Sequence, residues 1–125
     1  RPSAVRTRDG WRSPCDEEFD PFWARVNEVG VTVVAHVGSN GYTANGYGGN
    51  SALSVLGGGR KPSVAGLIPE RAIYDFLLTL AYERHFERFP NLRIASIENG
   101  SGFLGDLFVK IEQSKARMPH YYKED

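Results

Sequence analysis

The 125-residue chain carries 15 Lys and Arg residues against 15 Asp and Glu residues, so its formal net charge at pH 7 is zero. Hydrophobic residues make up 41% and charged residues 24%, as is usual for a globular domain. This balance argues against nucleic acid or an anionic membrane as a partner, and no apolar run is long enough to span a bilayer. The single cysteine, Cys15, excludes an intrachain disulfide and favours a cytoplasmic location.

The first half of the chain predicts a loop, a helix and a strand. Residues 9–16 are polar and contain Gly and Pro, which indicates a loop. Asp20-Pro21 is typical of a helix start, with the acid as the N-cap, and Gly30 is typical of a helix end. The β-branched run at 31–37 then predicts a parallel strand covered on both faces.

The second half predicts a helix, a strand and a further helix. Pro69 opens a strongly amphipathic segment that runs to about Glu87. Residues 92–97 predict a second strand, and Gly100 and Gly102 predict the turn into the last helix. Strands that alternate with helices favour parallel βαβ units, in a barrel or in a doubly wound sheet. The fold class predicted from the sequence is therefore α/β.

Residues 38–68 form a long stretch without periodicity that is rich in Gly, Asn, Ser and Tyr. Loops of this length inside a compact domain are uncommon and are usually functional or disordered. Two interpretations stay open: a substrate lid that carries Tyr42 and Tyr47, and a plain flexible insertion. Because the stretch follows a predicted strand directly, we expect it on the active-site side of the domain.

Two polar side chains lie at the carboxyl ends of the predicted strands, where function gathers in parallel α/β folds. His36 ends an otherwise apolar strand, so it is either a metal ligand through one ring nitrogen or a buried histidine bonded to backbone. Glu98 follows the second strand and could bind metal, take a proton from water or protonate a leaving group. Its alternative role is to accept backbone N–H bonds at the start of the next helix.

Three further residues are weaker candidates for chemistry. His85 lies among charged residues late in the amphipathic segment and is expected on a solvated face. His120 lies in a polar tail, from Ala116 onward, that is expected to leave the core. Cys15 has no histidine nearby in sequence, which makes a nucleophilic role remote.

Three segments resemble the amidohydrolase-related proteins, and more closely the branch of aminocarboxymuconate-semialdehyde decarboxylase. They are FDPFW at 19–23, VTVVAHVG at 31–38 and FERFPNLRI at 86–94, and the resemblance extends in order over 1–111. It implies a TIM (β/α)8 barrel in which the two predicted strands are the fifth and the sixth. It also implies that His36 binds a divalent metal, commonly zinc, which activates a water molecule near neutral pH.

The chain departs from the family pattern in three places. It has neither the His-x-His pair of the family's first strand nor the aspartate after the eighth strand, and Glu98 stands in a turn where many members carry a histidine. A full barrel needs about 250 residues. We therefore expect residues 1–125 to be one interior segment of a metal-dependent hydrolase domain, inactive alone, and its opening at Arg1 without Met agrees with this expectation, as it would with a processed end.

The predicted function is that of a metal-dependent hydrolase or decarboxylase that uses a metal-activated water on a small organic acid, amide or ester. The expected cofactor is a divalent metal, zinc above all, with His36 as a metal ligand and Glu98 as the catalytic residue. The expected partner is a small-molecule substrate, and a homo-oligomer stays open. The alternatives are a non-catalytic remnant of the family and a small-ligand-binding α/β module.

Overall fold

Strands alternate with helices in the computed structural model, which describes residues 2–38, 68 and 70–122. The elements in chain order are β1 (Val5–Thr7), β2 (Gly10–Arg12), a 3-10 helix (Glu17–Phe19), α1 (Asp20–Val29), β3 (Thr32–His36), α2 (Arg71–Tyr82), α3 (His85–Arg88), β4 (Arg93–Ile97) and α4 (Leu104–Arg117). The α/β class predicted from the sequence is confirmed. The long loop predicted at 38–68 lies almost wholly outside the described residues.

Helix α1 begins and ends where the sequence predicts, but Asp20 is its first residue and not its cap. The 3-10 helix leads directly into α1, and its own cap is Asp16, whose carboxylate accepts from the Glu18 backbone N–H at 3.2 Å. The Asp20 carboxylate is thereby free to form an ion pair with Arg88 of α3. At the other end Gly30 adopts the left-handed conformation, with φ of 70°, and closes the helix.

Strands β3 and β4 form a parallel pair in which Thr32 lies opposite Arg93 and His36 lies opposite Ile97. Parallel pairing requires a crossover connection, which here contains α2 and α3. The expectation of a strand covered on both faces is wrong for the described residues, since Val34 on β3 is 55% exposed. Side chains alternate between the two faces of a strand, and the described helices cover one face, on which Ala35 is buried.

The core lies between this covered face of the sheet and the helices. Residues from α1, α2 and the segment that leads into β4 contribute most of its side chains. Its buried members are Cys15, Trp23, Val26, Ala35, Ile73, Phe76, Leu80, Phe89 and Leu92. Helix α4 packs against α2, and a hydrogen bond of 2.7 Å from the Tyr74 hydroxyl to Asp106 joins the two helices.

The long amphipathic helix predicted to reach Glu87 ends instead at Tyr82. Arg84 adopts a left-handed conformation, with φ of 52°, and a separate helical turn, α3, follows it. This break turns the next side chain, His85, into the core, where it is fully buried. The expectation that His85 lies on a solvated face is therefore wrong.

One further segment differs from the expectations. The predicted loop at 9–16 contains β2, which pairs with β1 in an antiparallel hairpin that no alternation of apolar residues predicts. The tail after Ala116 lies outside the core as predicted, with Met118 and Tyr121 37% and 41% exposed, although the Tyr121 ring stacks on Tyr82 of α2 with centroids 5.4 Å apart. None of the helices in the part of the chain that the structure describes has the length and apolar character that a bilayer crossing needs.

The buried His85 ring makes stability dependent on pH. It packs edge-on against Trp23 and Phe89 at 4.9 and 4.8 Å, and neither of its ring nitrogens has a hydrogen-bond partner. Burial, assisted by Arg88, lowers the pKa of His85 below its ordinary value of 6.5. Because the unfolded chain then binds a proton more readily than the folded one, the contribution of His85 favours folding above pH 6.5 and weakens as the pH falls below that value.

We expect His85→Phe to flatten the decline in unfolding free energy between pH 7 and pH 5. It should also raise stability by about 1–3 kcal/mol, because two unpaired buried nitrogens are removed. Urea denaturation at a series of pH values measures both effects, and His120→Phe at an exposed position is the matched control. An acid dependence in His85→Phe equal to that of the unaltered protein would contradict the assignment.

Candidate functional site

The two residues predicted to carry function lie together at one edge of the parallel sheet. His36 is the last residue of β3, and Glu98 directly follows β4. Since the paired strands run in the same direction, their carboxyl ends meet, and His36 Nε2 lies 3.5 Å from Glu98 Oε2. Their side chains are 54% and 68% exposed, so the pair is open to solvent and to ligands.

A backbone contact orients the His36 ring. Nδ1 lies 2.8 Å from the carbonyl oxygen of Val37. A carbonyl oxygen can only accept, so Nδ1 donates to it, and Nε2 is the ring nitrogen that faces Glu98. When the ring carries one hydrogen, Nε2 and Oε2 are two acceptors 3.5 Å apart, and a proton or a metal cation between them relieves their repulsion. The alternative prediction, a buried histidine bonded to backbone, is wrong because the His36 side chain is 54% exposed, although the hydrogen bond to backbone is present.

Glu98 turns the chain away from the sheet. Its φ of 58° is left-handed, a conformation that costs a residue other than glycine roughly 1–2 kcal/mol. The next helix, α4, begins well downstream at Leu104, and its N-cap residue is Phe103. Glu98 is therefore not a cap of that helix. The strained turn instead holds the carboxylate beside the end of β3.

Asn99 is a member of the site that the sequence did not reveal. It is only 3% exposed, and its side-chain nitrogen donates to the backbone oxygens of Ala35 and Ile97 at 2.8 and 2.9 Å. In the sequence Asn99 precedes Gly100, and such a pair reads as an ordinary turn signal. The pairing of β3 with β4 is what gives its amide a partner on each strand.

A pocket of about 370 Å³ adjoins the pair. It is lined by Glu70, Glu98, Asn99, Gly100, Gly102 and Phe103. Glu70, at the start of α2, is a second residue that the sequence did not predict. The amphipathic pattern of that helix does not distinguish Glu70 from an ordinary surface carboxylate. The pocket offers two carboxylates and one aromatic ring to a small molecule, and Glu98 is the residue that it shares with the pair.

The geometry of the pair fits two positions of a zinc site. Zinc binds imidazole nitrogen at about 2.0–2.1 Å and carboxylate oxygen at about 2.0–2.2 Å, so tetrahedral geometry separates the two donor atoms by about 3.4 Å. The observed separation of His36 Nε2 and Glu98 Oε2 is 3.5 Å. Among the described residues, no group of three His, Cys, Asp or Glu side chains converges on a common point.

Cys15 lies in the core and away from this site. Burial, followed by the charge of Glu83, raises the pKa of its thiol from 9.0 to about 11. The thiolate is the nucleophilic form of cysteine, and at neutral pH a thiol with this pKa provides very little of it. The prediction that a nucleophilic role for Cys15 is remote agrees with this position.

A search of solved structures finds a match with an amidohydrolase from Mycobacterium avium subsp. paratuberculosis K-10, at 34% sequence identity and a TM-score of 0.79. The alignment covers 100% of this chain and 30% of that protein. A scan against models of protein families finds no match, and a search of curated proteins finds none. In sequence and in fold, this chain is therefore similar to a segment of an amidohydrolase, a result that supports the amidohydrolase family.

Proposed function

We propose that the protein is an amidohydrolase that uses a divalent metal to hydrolyse a small amide or ester. The observation that carries the proposal is the approach of His36 Nε2 to Glu98 Oε2, 3.5 Å apart at the edge where two parallel strands end. The 34% identity to an amidohydrolase over the whole of this chain supports it. Zinc is the metal that the donor atoms and their separation favour.

The fold that we propose around this site is a TIM barrel in which β3 and β4 are neighbouring strands. Barrel strands are parallel, they alternate with helices, and active sites lie at their carboxyl ends. The exposed side chains of Val34 and Ile97, 55% and 40% exposed, lie on β3 and β4, where further strands and barrel-filling side chains would cover them. Because the chain spans 30% of the related amidohydrolase, we propose that other strands supply the remaining metal ligands.

Three side chains have separate roles in this proposal. A bound divalent metal supplies a nucleophile from water near neutral pH and polarises a carbonyl oxygen. His36 holds the metal through Nε2, and the carbonyl oxygen of Val37, which accepts from Nδ1, keeps the ring in the required tautomer and orientation. One oxygen of Glu98 binds the metal beside His36, and the other takes the proton of the attacking water and returns it to the leaving group. The Phe103 ring packs against the apolar part of the substrate.

Decarboxylation of a small organic acid is the second candidate, because residues 86–94 resemble the decarboxylase branch of the family. The lining of the pocket separates the two reactions. Glu70 adds to the pocket a carboxylate that the proposed metal site does not use, and its charge repels an anionic substrate. A neutral amide or ester meets no such repulsion, and for this reason hydrolysis is the reaction that we propose first.

Replacement of His36 tests the metal site. We expect His36→Ala to reduce the zinc content of the purified protein at least tenfold, because one donor atom is lost. Its thermal unfolding should stay within about 2 °C, since substitution of an exposed side chain changes stability little. Metal analysis measures the first quantity, and His120→Ala is the matched control. An unchanged zinc content in His36→Ala would remove the metal from the proposal.

Replacement of Glu98 tests its role in proton transfer. Glu98→Gln keeps an oxygen that can bind metal but cannot take a proton, so kcat should fall by about 10²- to 10⁴-fold on whichever members of a panel of small esters and amides the protein hydrolyses. Steady-state kinetics with released acid as the readout measure this change. Glu28→Gln, at an exposed position in α1, is the control and should retain full activity.

Two results would count against this role of Glu98. Full activity in Glu98→Gln would exclude proton transfer by this carboxylate. Release of carbon dioxide from an acid substrate, with no hydrolysis of any ester or amide, would favour the decarboxylase alternative.

A further inference from the structure

Asn99 lies beside the proposed metal site but points its amide at the backbone of the sheet. Its side-chain nitrogen donates to Ala35 O at 2.8 Å and to Ile97 O at 2.9 Å, with the Ser96 hydroxyl oxygen third at 3.2 Å. An amide nitrogen has two hydrogens. The two shortest contacts therefore account for both of them, one on each strand.

The two carbonyl groups that Asn99 binds belong to the peptide units immediately before the two functional residues. The carbonyl of Ala35 is part of the peptide that leads into His36, and the carbonyl of Ile97 is part of the peptide that leads into Glu98. A peptide unit is planar, so fixing its oxygen also restricts the direction from which the next side chain departs. The Asn99 amide thus links the peptide unit that leads into His36 to the peptide unit that leads into Glu98.

The orientation of the amide follows from the same contacts. If its oxygen and nitrogen were exchanged, the Asn99 oxygen would face two carbonyl oxygens, and three acceptors would repel one another. The observed orientation leaves Oδ1 buried without a hydrogen-bond partner, and an unpaired buried acceptor costs roughly 1–3 kcal/mol. Oδ1 stays unpaired because this orientation lets both N–H groups of the amide bind the ends of the two strands. Such a cost is expected where the position of a residue serves the site.

We propose that Asn99 is a positioning residue, which holds the peptide units before His36 and Glu98 so that Nε2 and Oε2 converge on one cation. The proposal rests on the metal site put forward above. It goes beyond that site because it gives Asn99 the role of setting the distance between His36 Nε2 and Glu98 Oε2. Asn99 itself touches neither the metal nor the reacting atoms.

The test compares Asn99→Asp with Asn91→Asp in the full chain. Asn99→Asp has nearly the same shape but loses both N–H donors, whereas Asn91→Asp introduces the same charge at the opposite end of β4, on an exposed side chain. We expect the affinity for zinc alone, measured by competition with a chelator, to fall about 10- to 100-fold in Asn99→Asp. The affinity of Asn91→Asp should remain within about twofold of the unaltered protein.

A second readout needs no metal and therefore separates this proposal from the proposed function. In the metal-free protein, NMR cross-relaxation between the His36 ring and the Glu98 side chain reports their proximity. We expect this signal in the unaltered protein and in Asn91→Asp, and its loss in Asn99→Asp. If no variant binds zinc but the signal follows this pattern, the metal site is wrong and the positioning role stands.

Two results would overturn the positioning role. The first is a folded Asn99→Asp variant that keeps both the zinc affinity and the ring signal, since Asn99 would then stabilise the sheet without positioning the pair. The second needs no variant and applies even if Asn99→Asp does not fold. The side-chain amide hydrogens of Asn99 should exchange slowly with solvent and show couplings through hydrogen bonds to the carbonyl carbons of Ala35 and Ile97, and the absence of these couplings removes the bridge.

Discussion

The parallel register of β3 with β4 is the constraint on which the candidate site depends. It places His36 opposite Ile97 and so brings Glu98 to the same edge of the sheet. Because side chains alternate between faces, a shift of one residue would turn His36 to the other face and separate it from the carboxylate. The distance of 3.5 Å between His36 Nε2 and Glu98 Oε2 is thus a consequence of the pairing of two strands that are far apart in sequence.

Different contacts hold the two ends of this sheet. At the end where the strands begin, the side-chain oxygen of Asn27 accepts from the backbone N–H of Asn91 at 2.8 Å, and Arg93 donates to the carbonyl oxygen of Gly30 at 3.2 Å. At the end where the strands finish, Asn99 binds the backbone of both strands. The first of these bonds joins α1 to the segment before β4, and the second joins β4 to the glycine that ends α1. Hydrogen bonds therefore hold both ends of the sheet, and the candidate site lies at the end where the strands finish.

Much of this arrangement could be predicted from the sequence because local chemistry and the fold agree. Gly30 closes α1, and the apolar β-branched run after it forms β3, so the rule that function follows parallel strands led directly to His36 and Glu98. Other features depend on tertiary contacts. The left-handed Arg84, which breaks the amphipathic helix, is neither Gly nor Asn and gives no local signal. The bridging role of Asn99 exists only once both strands are in place.

A crystal of the protein grown with zinc, measured at the zinc absorption edge, tests the central claim most directly. If His36 and Glu98 share one cation, an anomalous peak should lie about 2.0–2.1 Å from His36 Nε2 and about 2.0–2.2 Å from a Glu98 carboxylate oxygen. A zinc peak bonded to other residues, with the His36 ring and the Glu98 carboxylate facing solvent, would contradict the claim.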